Sequence, residues 1–299
     1  MRKRIGRGGI PLIRAVALAA FALGGAACGG GGPASDAATA RPVLRVSMIP
    51  TTDPGKIVRE SRPLVAYLEK ETGAQVELTV PADYAAVVEA VANDQADIAY
   101  LGGFTFIQAA ERAGVRPLVQ RDRDKNFHSV FITRPDSGIG DLADLKGHTF
   151  AFGDVNSTSG HLMPEYFMRR ENVPPEVIAR ALYTGGHDAT ALAVANGKVD
   201  AGAMDEAVFE KMSKDGKLDP SRVQVFYTTP PFFDYVWAAR KGLDPRLTER
   251  FADAFLKLSA DDSSQRQILD SLGARKYERA NDSDYDRLRQ AARDAGLMK

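Results

Sequence analysis

Short apolar runs alternate along the chain with longer stretches whose apolar positions recur every three or four residues. Val43–Ile49 reads as a strand, and Lys56 to Glu71 as a helix with Ile57, Leu64, Val65 and Leu68 on one face. Val76–Val80, Asp97–Leu101 and Val115–Gln120 follow as strands, separated by helices at Tyr84–Ala92 and Phe104–Ala113. A second run of the same kind begins after the turn-rich Pro135-Asp136-Ser137-Gly138. Its strands are His148–Phe152, Arg180–Tyr183, Asp200–Met204 and Val223–Tyr227, with helices at His161–Arg170, Asp188–Asn196 and Glu206–Lys214. Tyr235–Arg240 is a further strand, and helices near Arg246–Leu258, Gln265–Leu272 and Asp284–Ala295 close the chain.

Strand–helix alternation of this kind predicts an α/β protein with largely parallel sheets. A middle α/β block flanked by two outer segments predicts two lobes joined by two crossings, near 130–135 and 230–235. The first lobe is expected to comprise 43–132 and 236–299, and the second 133–235.

The first 42 residues stand outside this pattern. Residues 1–14 hold five cations and no acid, and Ala15–Ala27 is a run of Ala, Val, Leu, Phe and Gly ending at Cys28. A basic start, a short apolar stretch and small residues at a cleavage point describe a signal peptide over residues 1–27. The run is shorter than the roughly 20 apolar residues a membrane-spanning helix needs. Cys28 is the only cysteine, so it has no internal disulfide partner. Residues 28–42, opening with Gly29-Gly30-Gly31-Gly32-Pro33, read as a flexible tether.

Charge narrows the function. The chain has 39 basic and 39 acidic residues, and loss of the five leader cations leaves a net charge of −5. Nucleic-acid binding is disfavoured, and an anionic ligand must be held by local geometry rather than bulk charge. The histidines and the one cysteine show no metal-ligand spacing, and no Gly-x-Ser-x-Gly elbow or P-loop is present. Neither an enzyme nor a cofactor is expected.

The most informative segment is Phe152-Gly153-Asp154-Val155-Asn156-Ser157-Thr158-Ser159-Gly160-His161. A strand ends, three hydroxyl residues and a glycine follow, and a helix begins. A helix start has unpaired N–H groups and partial positive charge, so added hydroxyl donors make a site for a tetrahedral oxyanion without lysine or arginine. The same residues could instead only cap the helix; composition leaves both readings open.

This segment resembles the anion-binding loop of the phosphate, phosphite and phosphonate-binding proteins of ABC importers. Asp83-Tyr84-Ala85, Asp97-Ile98-Ala99-Tyr100-Leu101-Gly102, Asp144-Leu145-Lys146-Gly147, Gly185-Gly186-His187-Asp188 and Val199-Asp200-Ala201-Gly202 resemble further motifs of the family, in order. The Gly25-Ala26-Ala27-Cys28 sequence resembles a lipobox, which implies lipidation of Cys28 and anchoring at the cell envelope, facing the periplasm or the exterior.

The resemblance implies a two-lobed, type II periplasmic-binding-protein (Venus flytrap) fold with the ligand between lobes, acting as a monomer with a permease of the inner membrane. It implies Ser157, Thr158 and Ser159 as oxyanion donors, His187 as a further donor strongest as an imidazolium, and Tyr84 as the first-lobe residue that closes on the ligand. Tyr100 reads as core, with backbone donors at Leu101–Gly103 more suited to the ligand. Glu206, with Asp205 beside it, and Asp234 fall at ligand positions, where a carboxylate suits an ammonium substituent or a P–OH proton. Where aminophosphonate binders carry a tyrosine, this chain has Phe127-His128, of which only His128 can donate. A ligand-sensing role at a receptor is the alternative to import.

Overall fold

The computed structural model describes residues 41–299. The expected signal peptide, Cys28 and all of the tether except Arg41 and Pro42 lie outside the described residues.

The chain opens with β1 (Val43–Met48), α1 (Pro54–Glu60), α2 (Arg62–Thr72), β2 (Gln75–Thr79), α3 (Tyr84–Ala92), β3 (Ile98–Leu101), α4 (Gly103–Ala113) and β4 (Arg116–Arg121). It continues through β5 (Ser129–Thr133), β6 (Thr149–Phe152), α5 (Met163–Arg170), β7 (Arg180–Tyr183), α6 (His187–Ala195), β8 (Ala201–Asp205), α7 (Glu206–Lys214) and β9 (Gln224–Thr228). It ends with β10 (Val236–Ala239), α8 (Pro245–Leu256), α9 (Ser263–Leu272), β11 (Tyr277–Arg279) and α10 (Asp286–Asp294).

The single helix expected over 56–71 is two helices. Pro63 sits in the first turn of α2, where its missing N–H costs nothing, and the break falls just ahead of it at Ser61. Capping fixes other starts: the carboxylates of Asp53 and Asp83 accept from the N–H groups of Lys56 and Ala86.

Two sheets form, ordered β11-β4-β10-β3-β1-β2 and β7-β6-β8-β5-β9. They are mixed rather than largely parallel. β1 runs parallel to β2 and β3, and β6 to β7 and β8. β10 and β5, the strands that follow the two crossings, enter their sheets antiparallel to both neighbours. The short strand β11, hidden in a polar segment, is also antiparallel.

β5 belongs to the second sheet, so the first crossing is 122–128, upstream of the expected 130–135, and the lobe boundary set at 132 moves with it. The second crossing is 229–235. The crossings are laced together by reciprocal Phe127–Phe232 backbone bonds of 3.0 Å and by the N–H of Asp234 to the carbonyl of Asp124. The first lobe's core centres on Trp237, buried against Tyr100, Phe251 and Phe255, and extends to Leu162, Met163 and Phe167 beyond the hydroxyl loop.

Candidate functional site

The hydroxyl loop sits where β6 ends. After Ser157 the backbone makes one π-helical turn, Thr158–Leu162, before α5 begins, so the helical segment starts three residues earlier than expected. The N–H of Leu162 reaches the carbonyl of Ser157, the i+5 bond of such a turn. Gly153 donates to the carbonyl of Gly160 at 2.8 Å, pinning the two ends of the loop together.

The three hydroxyls divide the work. Ser157 caps the turn, its Oγ accepting from the N–H of Gly160 at 3.0 Å. Thr158 Oγ1 accepts from the N–H of Phe104, a bond from the first lobe to the second. Ser159 Oγ is buried and has no partner. The capping reading holds for Ser157, therefore, while Ser159 is the free donor.

His187 opens α6, and its N–H donates to the carbonyl of Thr51 in the first lobe at 3.0 Å. The ring is fully buried. Its Nδ1 accepts from the N–H of Asp205 at 3.3 Å, which leaves the ring proton on Nε2, an atom without a partner. Burial lowers its pKa against the pull of nearby Asp205. The ring is thus a neutral imidazole with one N–H to give, rather than the imidazolium that would be the stronger donor.

Tyr84 begins α3 with its hydroxyl buried, unpaired and beside Ser157. Burial, reinforced by Asp154, Asp205 and Asp234, raises its pKa, so it stays a phenol and a donor. Asp234, 1 % exposed, accepts from the N–H of Gly103 through Oδ1 and leaves Oδ2 unpaired. Burial with Asp205 and Asp124 nearby raises its carboxyl to about 7.

Four unpaired atoms thus lie on or beside the hydroxyl loop: Ser159 Oγ on it, Tyr84 Oη beside Ser157, His187 Nε2 on the ring beside Gly160, and Asp234 Oδ2 on the carboxylate beside Thr158. A β-carbon placed on Gly160 would lie 3.0 Å from His187 Cε1; one on Gly102 would lie 2.9 Å from Thr158 Oγ1 and 3.2 Å from Asp234 Oδ1. An unsatisfied buried polar group costs about 1–3 kcal/mol, so a cluster of them signals a missing partner.

Glu206 and His128 are committed elsewhere. Glu206 pairs with Arg123 at 3.3 Å, and burial raises its pKa against that pairing. His128 Nδ1 donates to the carbonyl of Thr229 at 2.6 Å. Tyr100 stacks on Tyr235 at 5.3 Å, as core. The backbone N–H groups of Gly103 and Phe104 go to Asp234 and Thr158 rather than remaining free.

Asp205, named from sequence only as the neighbour of Glu206, caps α7 through Oδ1, takes the Tyr235 hydroxyl on Oδ2 at 2.7 Å, and fixes the tautomer of His187. An Asp between a strand and a helix was the available signal. A separate cleft of about 430 Å³ opens between the lobes and is lined by Ile57, Tyr100, Asp205, Val208 and Tyr235 among others. None of the four unpaired atoms belongs to its lining residues.

Residues 46–285 match the family model described as the periplasmic substrate-binding protein of the phosphonate ABC transporter. The chain belongs to this family. It is the substrate-binding component of an importer, outside the cytoplasm, and not an enzyme. The protein of Prochlorococcus marinus (strain MIT 9301) named "Probable ABC transporter phosphite binding protein PhnD1" is 31% identical over 264 residues, 84% of this chain and 89% of that protein. The phosphate-import protein PhnD of Mycolicibacterium smegmatis is 32% identical over 257 residues, 81% of this chain and 80% of that one. The structure of PhnD1 from Prochlorococcus marinus in complex with methylphosphonate superposes with a TM-score of 0.82 at 30% identity, covering 86% of this chain and 99% of that one. The two-lobed, type II periplasmic-binding-protein fold is that of the family.

Removal of one free donor gives a first check. Ser159→Ala is expected to weaken oxyanion binding by about 1.5–3 kcal/mol, the worth of a hydrogen bond to a charged group, which is about tenfold or more in affinity. Titration calorimetry would show it, with the melting temperature of the free protein unchanged or raised, because the lost hydroxyl is unpaired.

Proposed function

We propose that this binding protein captures a small phosphorus oxyanion (phosphite, phosphate or a phosphonate with a compact substituent) and presents it to an ABC permease. The observation that carries this reading is the set of three buried donors, unpaired among the described residues, on or beside one loop: Tyr84, Ser159 and His187. No lysine or arginine takes part, so the ligand is recognised by directed neutral donors rather than by charge. Tyr84 comes from the first lobe and Ser159 and His187 from the second, so the ligand closes the lobes on itself. The names of the relatives, a phosphite binder, a phosphate importer and a methylphosphonate complex, support the same ligand class.

The protein acts as a monomer tethered through a lipid on Cys28. A basic leader ending at a lone cysteine before four glycines supports the anchor. Absence of palmitate incorporation at Cys28 in labelled cells would remove that part.

Titration with phosphite, phosphate, methylphosphonate, 2-aminoethylphosphonate and sulfate tests the ligand class. One phosphorus ligand is expected to bind well ahead of sulfate. Heat from none of them would leave the hydroxyl loop as a cap and overturn the reading.

A further inference from the structure

We propose that the bound complex holds one proton shared between Asp234 Oδ2 and a ligand oxygen, so the site selects a singly protonated oxyanion that carries no ammonium group. The inference rests on the reading of the buried space beside the hydroxyl loop as an oxyanion site.

The unpaired atoms set the stoichiometry. Tyr84 Oη, Ser159 Oγ and His187 Nε2 each offer a hydrogen, whereas an ionised Asp234 offers only a lone pair. An oxygen facing Asp234 must therefore bring a proton, or Asp234 must supply one. With neither, two anionic oxygens meet in a buried space.

An ammonium substituent fits this inventory poorly. It brings three N–H donors, and apart from Asp234 Oδ2 the acceptors around the site are already engaged. Asp205 holds the N–H of Val208 at 2.9 Å and the hydroxyl of Tyr235 at 2.7 Å. Asp154 takes the N–H of Asn156 at 2.7 Å, and Glu206 faces Arg123. Phe127, fully buried, offers no hydroxyl.

The surroundings of Asp234 favour keeping a proton. The groups facing it are Asp205, Asp124 with its partner Arg121, the phenols of Tyr84, Tyr235 and Tyr285, the hydroxyl of Thr158 and the N–H of Gly103. Arg121, the one cation among these, is bound bidentately by Asp124, so no cation is free to stabilise an ionised Asp234. A phosphate monoester sheds its second proton near about pH 6, and an alkylphosphonate, with no electron-withdrawing ester oxygen, sheds it somewhat higher, close enough to the carboxyl at about 7 for ligand and side chain to share one proton.

The test is calorimetry of the purified protein with methylphosphonate, from about pH 6 to about pH 9, in buffers of different ionisation enthalpy. Above both ionisations, each bound ligand should take up one proton, and the dissociation constant should rise about tenfold per pH unit. Sulfate, which brings no proton near neutrality, should bind better as the pH falls.

Asp234→Asn keeps an oxygen for the N–H of Gly103 and places an N–H₂ where Oδ2 stood. This variant should lose the proton uptake, flatten the pH profile and gain sulfate binding relative to the parent. The proposal is overturned by absent uptake in the parent at high pH, by uptake that persists in the variant, or by 2-aminoethylphosphonate outcompeting methylphosphonate in the parent. Should the variant not fold, the proton count of the parent decides alone. Silence of methylphosphonate and phosphite at every pH is a different result, which defeats the oxyanion site itself.

Discussion

Gly160→Ala is expected to abolish most oxyanion binding while leaving the free protein about as stable as before. A β-carbon there would lie 2.9 Å from Ser157 Oγ, 3.0 Å from His187 Cε1 and 3.1 Å from Gly153 Cα. The backbone cannot slide to make room, because Gly153 is bonded to the carbonyl of Gly160 and the Gly160 N–H to Ser157. The His187 ring and the Ser157 side chain must move instead; the first is a proposed donor to the ligand, and the second caps the turn that carries Ser159, the other proposed donor on this side. Losing two hydrogen bonds to a charged ligand costs about 3–6 kcal/mol, at least about a hundredfold in affinity. Alanine's better helix propensity, worth about 1 kcal/mol, offsets the local crowding in the free protein. Calorimetry with methylphosphonate and a melting curve without ligand read the two effects separately. Wild-type affinity in this variant would show that the loop does not hold the ligand.

The elements of this fold were legible where periodicity and capping agree. Tyr84–Ala92 and Glu206–Lys214 have the bounds read from sequence, each preceded by an aspartate that caps it. The split at Ser61 was encoded by Pro63 and was missed because apolar spacing continues across it. Strand direction was not legible. β5 and β10 look like any apolar strand, and their antiparallel pairing follows from the crossings, which are tertiary facts.

The site was legible as residue types and not as roles. Ser157, Thr158 and Ser159 are chemically alike, and only the fold gives one to a cap and one to the other lobe and leaves one without a partner. Protonation was equally hidden. His187 is neutral because it is buried with a backbone N–H aimed at Nδ1, and Glu206 is occupied because Arg123, 83 residues away, lies beside it.

The lobes meet through direct bonds as well as through a shared ligand. Phe104 to Thr158, Gln108 to Asn156 and His187 to Thr51 all join the two sheets' segments, at 3.0 Å each. These bonds favour closure, while the four unpaired atoms oppose it, each by about 1–3 kcal/mol. A ligand that satisfied those atoms would remove the opposing cost in the closed state alone, and that differential would drive closure.

Arg121→Ala is expected to lower stability by about 3–5 kcal/mol, the effect of breaking a buried ion pair from one side. For a domain of this size that corresponds to a melting temperature lower by about 6–20 °C. Arg121 ends β4 at the mouth of the first crossing and is 5 % exposed; Asp124 is fully buried. The guanidinium bonds both oxygens of Asp124, at 2.6 and 2.9 Å, donates to the carbonyl of Leu272 and lies 4.6 Å over the ring of Tyr235. Burial already raises the pKa of Asp124 although Arg121 opposes the shift. Without the arginine it rises further, and the sign of the pH effect follows. A carboxyl whose folded pKa lies above its unfolded value destabilises the fold when ionisation is forced, and the penalty fades as pH falls toward the unfolded value of about 4. The variant's deficit should therefore be largest near neutrality and shrink on acidification. Arg121→Met combined with Asp124→Leu should recover much of the loss, because no buried charge is then left unanswered. Melting curves of the three proteins at two pH values decide the matter. A deficit under about 1 kcal/mol, small for a broken buried pair, or one that does not shrink in acid, would mean that water reaches the crossing and screens Asp124.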